Sequence, residues 1–185
     1  TIKDTTSSFL NMSGSSTALY YEENDRIILT EKGLERTVFP VDAEKHMERI
    51  TEKPYLSFHI NEELYLTGSA YYSYALGGQI DIRMQRLLST TADETIKSLL
   101  PHKKYPSKSY TSKEVKVAGH RAVLTESHQE YGGIHLQVVT DKFHYYISSD
   151  LLIGNLTEEE IAFIKEDLLK LGSLINFENE SIKWK

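Results

Sequence analysis

The feature that most limits the fold of this chain is a period-two alternation of apolar and polar residues along several short segments. Ile80, Ile82 and Met84 interleave with Asp81, Arg83 and Gln85, so a strand over these residues turns one face to a core and the other away from it. The run Tyr71 to Leu76 leads into this strand through Gly77-Gly78, a dipeptide suited to the two central positions of a tight hairpin. With the glycines there, Ala75 opposes Ile80 and Ser73 opposes Ile82 on one face, while Tyr74 opposes Asp81 and Tyr72 opposes Arg83 on the other. Downstream, Val115 to Val117, Ala122 to Glu126, Ile134 to Val139 and Phe143 to Ile147 read as a meander. It is punctuated by Gly119-His120, Tyr131-Gly132-Gly133 and Asp141-Lys142. Near the N-terminus, Arg26 to Thr30 and Glu35 to Phe39 predict a further hairpin turned at Glu31-Lys32-Gly33.

Helical signals fall between and after the strands. Thr157 with Glu160 forms a capping box, and Glu158, Glu159 and Glu160 complement the positive end of the helix dipole. Ile161, Ile164, Leu168 and Leu171 follow at helical spacing, with Gly172 as the expected stop. A second box, Thr91 with Glu94, opens a shorter helix carrying Ile96, Leu99 and Leu100 and halted by Pro101. Asp42 is the expected cap of a third, with Ala43, Met47 and Ile50 on its buried side. Strands in runs with helices between them predict an α+β domain: a twisted, mostly antiparallel sheet packed by two or three helices. Residues 1–17 read as a polar tether and 18–185 as a single domain, with 101–112 the most loop-like interior stretch and a candidate subdomain boundary.

Composition narrows the function classes. With no cysteine there is no disulfide framework, cysteine nucleophile or thiol redox chemistry. A formal charge of −6 opposes general nucleic-acid binding. The start at Thr1, followed by a run rich in Ser and Thr, fits an exported protein whose signal or lipid-bearing anchor has been removed; an arbitrary boundary gives the same start. Sequons at Asn11, Asn155 and Asn179 matter only in a eukaryotic secretory host.

The short strand Val115-Lys116-Val117, the turn Gly119-His120-Arg121-Ala122, the strand Phe143-His144-Tyr145-Tyr146-Ile147 and the ending Gly172-Ser173-Leu174-Ile175-Asn176-Phe177 together carry a resemblance. Over residues 114–177, about a third of the chain, the sequence resembles the C-terminal half of PsbP-like proteins, including small bacterial envelope lipoproteins. The resemblance implies a sheet-and-helix sandwich used for binding, in an exported setting and without catalysis. It carries over no catalytic or binding residue, and the region before residue 90 departs from it by extra strands.

Candidate chemistry is sparse. His120, His128, His135 and His144 cluster in the meander, but their spacing lacks a compact zinc-ligand pattern. Glu126 shares parity with Ala122 and Leu124, so it needs either a partner or a strand end in water. Ser127 and His128 are neighbours on a strand, point to opposite sides, and cannot act together as nucleophile and base. No Gly-x-Ser-x-Gly elbow, phosphate loop or dinucleotide fingerprint is present. Lys97 to Arg121 carries seven bases against Glu114, which reads as a solvated stretch in an otherwise acidic chain.

Tyrosine is the most suggestive residue, at 12 against 6 phenylalanines, because it combines rigid contact area with a polar tip and favours interfaces. The hairpin register gathers Tyr72, Tyr74, Asp81 and Arg83 on one face, the expected partner-binding site, with Asp81 orienting Arg83. The expectation is therefore a non-enzymatic, exported bacterial protein of the periplasm or cell envelope that needs no cofactor or metal. It would act by contact with another protein, either as an immunity-type neutraliser of a secreted toxin or as an accessory lipoprotein, held to the membrane only by a removed anchor. The alternative is a small-ligand or lipid carrier of the envelope.

Overall fold

The computed structural model describes residues 20–23, 26–60, 65–101 and 107–180; the N-terminal tether falls outside them. Among the described residues nine strands form one antiparallel sheet: β1 (Tyr20–Glu23), β2 (Arg26–Leu29), β3 (Tyr55–Ile60), β4 (Leu66–Ser73), β5 (Gln79–Arg86), β6 (Tyr110–Val117), β7 (His120–Ser127), β8 (Ile134–Val139) and β9 (Phe143–Ser149). The order is β1-β2-β3-β4-β5-β9-β8-β7-β6. Two meanders are thus joined where β9 pairs with β5, with Ile82 opposite Ile147. The helices are α1 (Glu31–Glu35), α2 (Ala92–Leu99) and α3 (Glu158–Ser173). The fold is α+β, as the sequence predicts, and among the described residues no helix is long and apolar enough to cross a membrane.

Alternation sorts the sheet into two unlike faces. The inner face carries Ala70, Tyr72, Ile80, Ile82, Leu136, Val138, Tyr145 and Ile147, all fully buried. On it lies α3, which buries Ile164, Leu168 and Leu171. Gly172 does not stop this helix, which continues through Ser173. Its role is proximity: a Cβ there would sit 3.2 Å from side-chain atoms of Val117, Leu136 and Ile147, so the missing side chain lets the last turn press onto the sheet. Both capping boxes form as read, with Thr157 accepting from the Glu160 amide and Thr91 from the Glu94 amide. Glu126, at the edge of the inner face, finds its partner in Lys165 of α3. On the outer face, α2 places Ile96 against Val123 and Val139 in a small separate cluster.

Three local expectations are corrected. Glu31 to Glu35 is not a turn and strand but α1, because Thr30 caps it by accepting from the Gly33 amide; β2 pairs instead with β1 and β3. The helix expected after Asp42 is a single 3-10 turn, Ala43–Lys45, and Asp42 makes no side-chain cap bond. Ala43, Met47 and Ile50 are nonetheless buried, since the chain beyond the turn runs across the inner face and Ile50 bridges to Tyr74. Finally, residues 110–112 of the loop-like stretch belong to β6, which extends from Tyr110 to Val117.

The β4-β5 hairpin carries the largest correction. Tyr74 and Gly78 close the loop, with the Tyr74 amide donating to the Gly78 carbonyl at 3.3 Å and the Gly77 amide to the Tyr74 carbonyl at 3.0 Å. The loop proper is Ala75-Leu76-Gly77, three residues with Gly77 at φ +92, the geometry of a turn followed by a left-handed residue. Tyr72 therefore pairs with Ile80, and Tyr71 with Asp81. The pairing differs from the expected one by three positions, and an odd offset exchanges the faces.

Leu168 is fully buried beneath α3. Leu168→Ala should lower stability by about 2–5 kcal/mol in a urea titration, the range for truncating a buried leucine; a loss well below 1 kcal/mol would show that α3 does not pack on the sheet.

Candidate binding site

Of the four residues gathered by the expected register, only Asp81 and Arg83 lie on the outer face; Tyr72 and Tyr74 turn inward. Tyr72 is fully buried and donates its hydroxyl to the Pro40 carbonyl at 3.0 Å. Tyr74 is buried beside α3, where its hydroxyl donates to Asp167 Oδ2 at 2.5 Å. The same carboxylate receives Arg49 Nη1 at 3.2 and 3.3 Å, and the Arg49 guanidinium lies 3.9 Å from the centre of the Phe163 ring. Burial, then the bond to Asp167, pushes the Tyr74 hydroxyl well above its ordinary range, so it stays a donor. These two tyrosines are core residues that tie α3 and the segment before β3 to the sheet.

The outer face is a different surface. The registers bring Tyr55, Tyr71, Asp81, Ser148, His135, Thr125 and Ser112 into one transverse row spanning β3 to β6. The adjacent row contains Ser57, Ser69, Arg83, Tyr146 and Gln137. At the centre, Arg83 Nε donates to Asp81 Oδ2 at 2.8 Å and the Ser148 hydroxyl donates to Asp81 Oδ1 at 2.8 Å. Asp81 is nearly buried whereas the Arg83 side chain is 56% exposed, so the carboxylate fixes a guanidinium that still meets solvent. Tyr55 is 45% exposed and Tyr71 half-buried on the same side.

Toward β6 the face deepens into a cleft of about 630 Å³ between the C-terminal end of α2 and the strands. Thr125 and Gln137 form its buried floor, with Ser112, His135, Tyr146 and Ser148 around them. The volume lies in the range of small-molecule sites, roughly 300–1,000 Å³. Burial lowers the His135 imidazole below its usual range and raises the Tyr146 phenol above its own, so both rings are neutral at pH 7. They pack against each other with centroids 5.1 Å apart and planes at 30°.

The meander histidines are dispersed. His120 packs on Phe177, His135 on Tyr146, and His128 Nε2 lies 2.6 Å from the Thr111 hydroxyl. Burial lowers the His144 imidazole. Among the described residues no group of three His, Asp or Glu side chains could hold a metal ion. In the basic stretch, Arg121 is bound locally by Asp93 and Glu114.

The hairpin pattern alone does not reveal Tyr71, which the loop length brings outward, or Tyr55, which pairs with Tyr71 across β3 and β4. It also misses the cleft residues, although the alternation of β8 and β9 already places His135 and Gln137 beside Tyr146 and Ser148. No family model, curated protein or solved structure matches the chain in comparison with known proteins.

Tyr74→Phe removes one bond to a buried carboxylate and should cost about 1.5–3 kcal/mol, as for hydrogen bonds to charged groups. Urea denaturation checks this; an unchanged midpoint would show that Asp167 does not depend on Tyr74.

Proposed function

We propose that this chain is a non-enzymatic binding protein of the bacterial cell envelope that engages another protein through the outer face of its sheet. One observation carries the reading: Arg83, held by Asp81, stands in solvent beside Tyr71 and Tyr55 on a rigid sheet. Arginine and tyrosine dominate interface hot spots, and fixing the guanidinium beforehand reduces the entropy lost on contact. The resemblance of residues 114–177 to PsbP-like envelope proteins supports the exported setting and a PsbP-like arrangement of sheet and helices. Within this setting the partner is a secreted toxin, for an immunity-type role, or an envelope protein, for an accessory lipoprotein. A second reading, a small-ligand binding protein, is favoured by the cleft alone.

The first reading is tested by a photo-reactive amino acid placed at Tyr71 in the producing cells. A discrete cross-linked protein is expected, and Arg83→Ala should weaken binding of that purified protein by about 2 kcal/mol or more, roughly thirtyfold. Because Arg83→Ala leaves the nearly buried Asp81 carboxylate to the Ser148 hydroxyl, stability should fall by about 1–3 kcal/mol, and affinity is compared at a temperature where the variant is folded. Unchanged affinity in the variant would place the interface elsewhere.

A further inference from the structure

The cleft has a chemical character more specific than its volume. Its floor is set with groups that both donate and accept hydrogen bonds: the Thr125 and Ser112 hydroxyls, 2.8 Å apart, and the Gln137 amide. The Ser148 hydroxyl, which spends its proton on Asp81, retains lone pairs as an acceptor. Among the described residues no lysine or arginine lines the cleft. The one carboxylate among the described lining residues, Asp150, already accepts from the Gln79 amide at 2.7 Å.

These facts separate ligand classes. An anion would bring charge to a described lining without a cationic side chain. A cation would meet a single carboxylate that is already engaged. A purely apolar ligand would strip water from the Gln137 amide and return no hydrogen bond, a cost of about 1–3 kcal/mol for a group left unpaired. A ligand dense in hydroxyls satisfies the floor, because each hydroxyl can donate to one neighbour and accept from another.

The walls add a second requirement. Tyr146 and His135 present a paired ring surface, and Tyr110 stands partly exposed at the rim. Such rings accept the apolar C–H face of a ligand whose edges are polar. A sugar ring has that construction, with hydroxyls around its edge and aliphatic carbon on its faces. The groups also sit on four adjacent strands, β6 to β9, which holds them in fixed relation better than loops would.

We propose that this cleft binds a neutral, polyhydroxylated ligand with the chemistry of a sugar residue, through Thr125 and Gln137 at its floor, Ser148 beside them and the Tyr146–His135 ring pair at its wall. The proposal rests on the second reading above and gives it a ligand class; the protein-contact reading stands apart from it.

The test is an amide-shift NMR titration of the whole chain with maltotriose, cellotriose and tri-N-acetylchitotriose, and separately with inorganic phosphate and with laurate. At least one trisaccharide is expected to shift the amides of His135, Gln137 and Tyr146. Gln137→Ala should weaken that binding by about tenfold, the loss of roughly one hydrogen bond, with an unchanged thermal midpoint. Tyr110→Ala, at the exposed rim, should also weaken it and guards against a floor variant that perturbs the fold. Shifts at the cleft from phosphate or laurate alone would overturn the sugar chemistry and leave a small-ligand site standing. No shift from any of the five probes would overturn both.

Discussion

The register between β4 and β5 is the constraint on which the rest of the structure depends. Ile80, Ile82 and Met84 must face the core, and whichever residues of β4 pair with them are taken inward as well. The three-residue loop selects Tyr72 and Ala70 for that role and sends Tyr71 and Ser69 outward. Gly78 helps to fix this choice, since a Cβ there would lie 2.1 Å from Asp150 Oδ1, the oxygen that receives the Gln79 amide. Gly68 acts at the other end of the strand, where a Cβ would fall 2.2 Å from the Ser57 carbonyl oxygen. Slipping β4 by one residue would bury serines and expose the apolar set, which the hydrophobic effect opposes.

From this register the two halves of the chain become one body. Tyr74, carried inward, reaches Asp167 of α3, and Asp167 in turn holds Arg49 from the segment preceding β3. A buried carboxylate is tolerated because it receives hydrogen bonds from both neighbours. The pairing of β9 with β5 extends the same inner face into the second meander, where α3 packs on β6, β8 and β9. The outer face, freed of the buried tyrosines, becomes a polar surface that runs from Tyr55 to Ser112 and opens into the cleft beside α2.

The sequence made the inner face legible and the outer one only in part. Period-two alternation identified β5, β8 and β9 because their inner faces are set mainly by Ile, Val, Leu, Met and Phe, with Tyr145 among them, and the parity of these residues favours one face. Thr91 and Thr157 disclosed their helices because a capping box is a local interaction, complete within four residues. The segment Tyr71 to Tyr74 was not readable in this way. Each tyrosine there is equally suited to a core or a surface, and Gly77-Gly78 permits a two-residue or a three-residue loop. The pairing Asp81–Arg83 survived the change of register since both lie on one strand two residues apart, whereas Tyr72 and Tyr74 did not, since their side depended on the loop. The cleft depends on the order β5-β9-β8-β7-β6, a long-range pairing that no local pattern states. Thr30 shows the same limit at short range: Glu31-Lys32-Gly33 serves as readily for the start of a capped helix as for a hairpin turn.

Because the chain contains no cysteine, its sheet faces can be read directly by single-cysteine labelling. Cysteines introduced in turn at Ser69, Ala70, Tyr71, Tyr72 and Ser73 would be reacted with a maleimide under native conditions. The account predicts labelling at 69, 71 and 73 and protection at 70 and 72 until the protein is unfolded. Rapid labelling at 70 and 72 with protection at 71 would contradict it, returning the buried tyrosines to the surface and removing Tyr71 from the Asp81–Arg83 face.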